Sequence, residues 1–342
     1  MKAAVYTKYG PPEVLHLTEI KKPVPGDKEV LIRVRATSVN YGDIIARNFK
    51  SVSPKEFNMF FLFWILAKFA FGYRKPKINI LGSVFSGEVE SSGSKVTTFT
   101  QGDLVFGYLG QNMGANAEYI CFPEKGCLAQ KPSGISHEEA AAIVYGAIMA
   151  VNLLQKMKIQ PGQKVLINGA SGGIGSAAVQ IAKSYGAEVT GVCGTDGIGF
   201  VESLGADKLI DYTKEDFRGN GERYDIILDI NGRCSFSSCK ASLKPEGRIF
   251  YASFKVKHLI QMLLTSLAGG KKVKCALASG SREDLNSVKE LIESGALKPV
   301  IVKSFTLEQI AAAHRFVESG HKKGGVAVTV TTRFAETRYN KK

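Results

Sequence analysis

Along the chain, hydrophobic and polar positions keep two rhythms. Up to about residue 122 the apolar runs are short and alternating, as in Glu29-Val30-Leu31-Ile32-Arg33-Val34, with glycine- or proline-rich breaks between them. Such a pattern fits half-buried strands, and it predicts a mostly β domain. Ser136-His137-Glu138-Glu139 then opens an alanine-rich stretch to about Met157, with Ser136 placed as a helix cap and Glu139 three residues on. After Pro161-Gly162 the rhythm turns to strand, helix, strand: Lys164-Val165-Leu166-Ile167-Asn168, a glycine turn, a helix over 174–185 and a strand over 188–193. Further strand-like runs at 208–210, 224–228, 248–251 and 274–277 are separated by helix-length intervals. That alternation predicts a parallel, doubly wound sheet, and six strands complete the dinucleotide-binding fold. From about residue 299 the pattern reads strand, helix over 307–319 and a last strand over 325–331, pieces expected to return to the first domain.

One run breaks both rhythms. Residues 59–67 are nine apolar residues, and Phe69-Ala70-Phe71-Gly72-Tyr73 extends them past Lys68. A membrane span needs about 20 such residues, so no stable membrane insertion is expected. The run is read as a buried helix or a flap over an apolar pocket, ahead of an interfacial anchor.

Bulk properties narrow the picture. A chain of 342 residues exceeds what one hydrophobic core usually serves, so two domains sharing a cleft are expected. With 44% apolar and 22% charged residues, the composition argues against disorder and repeat arrays. The net charge of +14 is uneven: residues 240–274 hold eight Lys or Arg against the single acid Glu246. Positive steering of a phosphorylated cofactor is favoured over nucleic-acid binding, and a plain solvated basic face stands as open as either. The six cysteines, at 121, 127, 193, 234, 239 and 275, lack the two-residue gap that gathers thiols on a metal, and are read as reduced. Met1-Lys2-Ala3-Ala4-Val5-Tyr6 enters a strand pattern with no apolar signal core, so the expected location is cytoplasmic.

The strongest local signal is Asn168-Gly169-Ala170-Ser171-Gly172-Gly173-Ile174-Gly175, where a buried strand gives way to an amphipathic helix. A tight turn needs a residue without Cβ, and a pyrophosphate approaching the backbone needs another. The helix start supplies unpaired N–H groups and the positive end of its dipole. Residues Ala170, Ser171, Gly172, Gly173, Ile174 and Gly175 are therefore the expected cofactor cradle. An NAD site usually carries an acid at the end of the next strand, about 20 residues on. Here Cys193, Gly194 and Thr195 stand there, leaving room for a 2′-phosphate to which Thr195 could donate, and NADPH is favoured; Asp196 would oppose it if turned toward the ribose.

With this motif between two β-rich flanks, the chain resembles the medium-chain dehydrogenase/reductase superfamily, specifically its zinc-free quinone oxidoreductase branch. The resemblance rests on residues 162–175 continued to Gln180 and Lys183, supported by Tyr9-Gly10-Pro11-Pro12-Glu13-Val14-Leu15, Ser38-Val39-Asn40-Tyr41-Gly42-Asp43, and Gly102-Asp103-Leu104-Val105-Phe106-Gly107 ahead of Ala117-Glu118-Tyr119. It implies an α/β protein with a GroES-like β-rich catalytic domain, residues 1–122 and 300–342, and a Rossmann domain with a six-stranded doubly wound parallel sheet, residues 123–299. A homodimer is implied as well. Zinc-dependent relatives carry a cysteine near Asn40 and a Gly-His-Glu around Gly82; this chain has Asn40 and Gly82-Ser83-Val84, and the four-cysteine structural lobe is missing, so no metal site is expected.

By the same resemblance Asn40 and Tyr41 lie beside nicotinamide and substrate, with Tyr41 a donor to the developing oxyanion or a proton route. Asp43 is expected to fix its loop through hydrogen bonds. Tyr212 is placed near the adenosine, Asn231 and Gly232 after the fourth Rossmann strand, Ala252 and Ser253 after the fifth, and Lys323 near the cofactor phosphate. A Gly-x-Thr-Ala stretch of the branch reads Ala147-Ile148-Met149-Ala150 here, without the threonine. Without a Lewis acid, alcohol oxidation is hard, whereas hydride addition to an enone or quinone needs only hydrogen-bond donors and a proton. The expected activity is NADPH-dependent reduction of small hydrophobic quinones or α,β-unsaturated carbonyl compounds, with no nucleic-acid partner. Two alternatives stay open: a nucleic-acid- or membrane-associated binding protein on a reductase scaffold, and a zinc-independent alcohol dehydrogenase.

Overall fold

The computed structural model describes residues 1–53, 61–72, 74–320 and 323–330. In chain order the elements are β1 (Lys2–Val5), β2 (His16–Glu19), β3 (Glu29–Ser38), α1 (Tyr41–Arg47), α2 (Phe61–Phe71), β4 (Val84–Ser92), β5 (Leu104–Tyr108), β6 (Tyr119–Pro123), β7 (Leu128–Gln130) and α3 (His137–Met157). There follow β8 (Lys164–Asn168), α4 (Gly173–Ser184), β9 (Glu188–Cys193), α5 (Ile198–Ser203), β10 (Lys208–Asp211), β11 (Tyr224–Asp229), α6 (Phe236–Cys239), β12 (Leu243–Tyr251), α7 (Val256–Leu267), β13 (Lys272–Cys275), α8 (Arg282–Glu293), β14 (Ile301–Thr306), α9 (Ile310–Glu318) and β15 (Gly325–Thr329).

The first sheet is organised by β3, which buries Val30, Leu31, Ile32, Val34 and Ala36. One edge of β3 pairs with β4; the other is shared between β6, along its first half, and β15, along its end. Strands β14 and β15 thus add to the N-terminal sheet. Two charged positions of β3 pair across the ladder, Arg33 with Glu90 at 3.1 Å and Arg35 with Glu88 at 2.9 Å.

The second sheet runs β10-β9-β8-β11-β12-β13, parallel throughout. Its middle strands read as unbroken apolar runs because helices cover both faces. Two boundaries differ from the sequence reading. Strand β12 begins at Leu243, ahead of the apolar run, because Leu243 pairs with Tyr224 across a register shift. Strand β13 starts at Lys272 and stops at Cys275, since Leu277 leaves the ladder for solvent. Strand order reverses between β8 and β11, which opens a crevice at their carboxyl ends.

Helix α3 joins the two sheets. Its cap forms as expected: the Glu139 N–H donates to Ser136 Oγ at 3.1 Å, and the Ser136 N–H donates to Glu139 Oε2 at 2.8 Å. Among the described residues it is the one helix long and apolar enough to cross a membrane, yet it lies packed against β3, β4 and β15 on one side and α4 and α8 on another. A helix apolar all round belongs in a protein interior when neighbours surround it this way.

Two histidines, His314 fully buried and His137 half-buried, set a pH dependence. Arg47, fully buried, donates to Gly10 O at 3.1 Å and to His314 Nδ1 at 3.0 Å, and pairs with Glu318. Burial, then the Arg47 charge, pushes His314 down to about 3; burial, then Lys131, pushes His137 down to about 4. The unfolded chain protonates near pH 6.5 while the folded one does not, so stability is full above that pH and falls as pH drops toward the folded values. The urea midpoint should therefore decline from pH 6.5 to 4.5, and more gently in His137→Gln. A flat midpoint across that range would remove the argument.

Candidate active site

The glycine turn sits at the switch point. Gly169, at φ +95°, turns the chain out of β8, and its N–H and that of Ala170 donate to Val192 O at 3.1 and 3.0 Å. Gly175 lets α4 approach the turn: a Cβ there would stand 2.1 Å from Gly169 O. Gly172 and Gly173 differ, since a Cβ on either would meet no protein atom nearer than 3.6 Å. Protein packing does not demand glycine at these two, and the missing side chains leave the backbone open to a ligand's approach. Just behind them the amides of Gly173, Ile174 and Gly175 open α4 without an acceptor among the described residues, as helix starts do. This cradle fits the diphosphate of a dinucleotide.

The other expected cofactor residues gather along the same edge. Asn231 reaches the turn, its Nδ2 lying 3.1 Å from where a Gly169 Cβ would be. Gly232, at φ +63°, backs onto Ser253, and the Ala252 N–H donates to Asp229 O at 3.1 Å, so the loops after β11 and β12 lean on one another. Tyr212 stands against Gly194 with its ring largely exposed. Ser171 and Cys193 close on Gly197, and the Gly324 N–H donates to Ser171 O at 3.3 Å, which brings Lys323 to the turn. The Lys323 ammonium is near enough to act on the Cys193 thiol, although burial, the larger effect, raises that thiol's pKa.

Two carboxylates that sequence reading missed organise this edge. Asp229, fully buried at the end of β11, accepts from Asn168 Nδ2 at 3.1 Å and from the Cys234 N–H at 2.8 Å, and burial raises its pKa. Asp211, at the end of β10, accepts from the hydroxyl of Thr195 at 2.6 Å and from that of Thr213 at 2.7 Å; those two hold its carboxyl at about 2. The Thr195 hydroxyl expected to serve a 2′-phosphate donates to Asp211 here, a charged acceptor within reach. Lys214 pairs with Asp211 at 3.6 Å. A carboxylate one strand further on was invisible to a reading that looked only at the end of the second strand.

Across the crevice stands a polar wall. Asp43, fully buried, accepts from the N–H groups of Asn40 at 2.8 Å and Gly82 at 3.0 Å, the loop-fixing part expected of it. Around it Ser38 Oγ, Asn40 Nδ2, Ser83 Oγ and Asn116 Nδ2 are buried without a hydrogen-bond partner among the described residues. Buried polar atoms left unpaired in one region point to a bound polar group. Tyr41, by contrast, is 69% exposed at the start of α1, turned to solvent. The residues that link the wall to the cradle are Tyr108 and Tyr145, also missed: their rings lie 6.3 Å apart, and both feel the Asp43 charge. Burial raises both phenol pKa values, which keeps the hydroxyls protonated. Gly146 beside Tyr145 packs on the turn, since a Cβ there would fall 2.2 Å from Gly173 O. Their sequence positions, one at a strand end and one inside an alanine-rich helix, carried no polar signal. Met149, where the branch has threonine, is buried.

The donor set does not fit a catalytic zinc ion. Asn40 and Ser83 offer an amide and a hydroxyl, and among the described residues no three His, Cys, Asp or Glu side chains converge, whereas Zn²⁺ takes three or four N, S or O ligands at short range.

The aromatic segment is half anchored. Trp64 Nε1 donates to Val52 O at 3.1 Å, Phe71 stacks on Phe49 at 4.7 Å, and the Tyr9 hydroxyl lies 2.8 Å from the carbonyl oxygens of Phe71 and Gly72. Leu66 and Phe69 face solvent. Met59, Phe60 and Tyr73 lie outside the described residues.

Residues 26–133 match the family described as alcohol dehydrogenase GroES-like domain, and residues 204–328 that described as zinc-binding dehydrogenase. The chain is 30% identical to the chloroplastic quinone-oxidoreductase QR1 of Triphysaria versicolor, over 96% of this chain and 98% of that protein. It is 29% identical to the chloroplastic NADPH-dependent alkenal/one oxidoreductase of Arabidopsis thaliana, over 96% of this chain and 79% of that protein. Among solved structures, the quinone oxidoreductase of Coxiella burnetii superposes with a TM-score of 0.83 at 28% identity, covering 97% of this chain and 99% of that one.

Proposed function

This chain belongs to the medium-chain dehydrogenase/reductase superfamily, in its quinone oxidoreductase-like branch, and is an NAD(P)H-dependent oxidoreductase; from that premise we propose that it reduces quinones or α,β-unsaturated carbonyl compounds with NADPH and without zinc. The observation that carries the reading is the open pair Gly172 and Gly173 beneath three unpaired amides, facing a wall of unpaired amide and hydroxyl groups instead of thiolates and imidazoles.

When bound, the dinucleotide supplies hydride to the electron-poor carbon. The chain does the rest. The amides of Gly173, Ile174 and Gly175 hold the diphosphate. Asn40, whose Nδ2 lacks a partner, donates to the substrate carbonyl oxygen as charge builds there, and Asp43 holds Asn40 in place. Tyr108 and Tyr145 keep their protons and line the passage between wall and cradle as donors. A small hydrophobic substrate and a homodimeric assembly are part of the proposal, as is cytoplasmic residence. Nucleotide turnover by the purified protein tests it, NADPH being supplied with quinones, enones and aldehydes and NADP⁺ with alcohols. Oxidation of NADPH with the first two supports the proposal, reduction of NADP⁺ by alcohols alone favours the dehydrogenase alternative, and no turnover on any class defeats it.

The preference for NADPH rests on Lys323 and is opposed by Asp211. Lys323→Ala should lower NADPH affinity about tenfold and leave NADH nearly untouched, as expected for one charged contact to phosphate. Asp211→Asn should raise the NADPH-to-NADH preference severalfold. Fluorescence titration with both nucleotides reads the two effects, and equal changes for both nucleotides would place neither residue at the 2′-phosphate.

A further inference from the structure

Two thiols meet beside the cofactor turn. Ser235 caps the short helix α6: its Oγ accepts from the Ser238 N–H at 3.1 Å, and the Cys239 N–H donates to Ser235 O at 3.1 Å. Cys234 therefore precedes the cap and Cys239 is the fourth residue of the helix, the two positions whose side chains pack together across a capped first turn. Here both are cysteine. The Cys234 thiol donates to the Cys239 sulfur, which holds Cys239 below the usual thiol range and raises Cys234. Cys239 is fully buried in the core that holds Ile227, Leu243 and Tyr251, whereas Cys234 is half-buried. Burial raises the thiols of Cys121, Cys127, Cys193 and Cys275 and keeps them in the unreactive protonated form.

Two bonds tie Cys234 to the cofactor edge. Its sulfur accepts from Asn168 Nδ2 at 3.4 Å, one residue before Gly169, and its N–H donates to Asp229 Oδ2 at 2.8 Å. The Asp229 carboxylate also accepts from the backbone amides of Asn231 and Gly232, and Asn231 is the side chain that reaches Gly169. A covalent bond holds two sulfurs nearer than a hydrogen bond does. Since Cys239 is fixed in the core, closing such a bond would draw Cys234 off Asn168 and shift the loop at 231 and 232 with it.

We propose that Cys234 and Cys239 are a peroxide-sensitive thiol pair whose closure to a disulfide loosens the cofactor site. The proton left after the first ionisation is shared by the two sulfurs, so the charge can sit on Cys234, the one that solvent reaches. The Cys234 thiolate attacks hydrogen peroxide, the O–O bond breaks, hydroxide leaves and Cys234 becomes a sulfenic acid. The Cys239 sulfur then attacks the Cys234 sulfur, the S–O bond breaks and a second hydroxide leaves. The two thiol protons complete two waters, and two electrons have passed from the sulfurs to the peroxide. Bond formation needs no turnover; its effect on NADPH rests on the cradle assigned above.

Peptide mapping of the folded protein after treatment with hydrogen peroxide tests it, with nucleotide titration alongside. The wild type should lose two hydrogens in mass, show Cys234 joined to Cys239 and bind NADPH about tenfold more weakly, the worth of about one hydrogen bond at the cradle. Dithiothreitol should reverse all three. Cys239→Ala should bind NADPH as the wild type does before oxidation, and after it should carry Cys234 as a sulfenic acid that dimedone traps. Cys275→Ser should still close the bond. Absence of the joined Cys234 and Cys239 peptides from folded wild type, or their appearance only in urea, overturns the proposal. So does a mapped bond that leaves NADPH affinity unchanged. Titration of the reduced wild type reports on the cradle by itself, so a failed cradle and a failed thiol pair give different results.

Discussion

Gly172→Val should leave the protein folded and weaken NADPH binding by about a hundredfold or more. The backbone at Gly172 is extended, at φ −74° and ψ 172°, which valine adopts freely, and a Cβ there would meet no protein atom nearer than Gly169 O at 3.6 Å. What valine displaces is the diphosphate from the amides of α4. Each charged hydrogen bond lost there is worth about 1.5–3 kcal/mol, so losing two accounts for a hundredfold. Gly175→Ala makes the contrast. Its Cβ would stand 2.1 Å from Gly169 O and 2.8 Å from Ala170 Cα, backbone atoms that can move only by shifting α4 off β8. That variant should lose about 2–4 kcal/mol of stability together with its nucleotide affinity. Calorimetric titration alongside thermal denaturation separates the two, and tight NADPH binding by Gly172→Val would remove the diphosphate from this turn.

Asp43→Ala is expected to have the largest effect on the substrate side. Its two oxygens take the N–H groups of Asn40 and Gly82, one from the start of α1 and one from the turn before β4. Gly82, at φ +94°, is wedged so that a Cβ would fall 2.5 Å from Asn116 Oδ1, so the turn cannot relax to find another acceptor. Two buried donors left unpaired should cost about 2–5 kcal/mol, read as a lower urea midpoint. Asp43→Asn keeps the shape but turns an amide against one N–H, and should lose roughly half of that. If Asp43 positions Asn40 for catalysis, Asp43→Asn should also lower kcat about tenfold while KM for NADPH stays put, because the nucleotide is held by the other sheet. An unchanged kcat would leave Asp43 a purely structural residue.

How much of this could be read from the chain alone varies by element. The glycine turn, the capped start of α3 and the alternation of strands and helices from 164 onward were legible because each is set by neighbours within a few residues: a cap three positions away, a strand run into a turn. The end of β13 was misplaced by two residues, since only pairing with β12 decides where the ladder stops. Tyr41 and Thr195 show the same limit at the site. The resemblance put Tyr41 beside the substrate, and the fold leaves it 69% exposed at the start of α1 while Tyr108 and Tyr145 are the tyrosines drawn in toward Asp43. Composition left Thr195 free to meet a phosphate, but the neighbouring strand brings Asp211 to its hydroxyl.

The sequence by itself determined that this protein would carry a dinucleotide cradle on a parallel sheet beside a β-rich domain, because periodicity and turn chemistry are local and survive without a fold. Only the tertiary structure decided which polar groups spend their hydrogen bonds on each other and which remain available, as Asp43, Asp211 and the unpaired Asn40 amide show. Those outcomes depend on pairings between residues far apart in the chain, and a hydrogen bond or a buried surface exists only once both partners are in place.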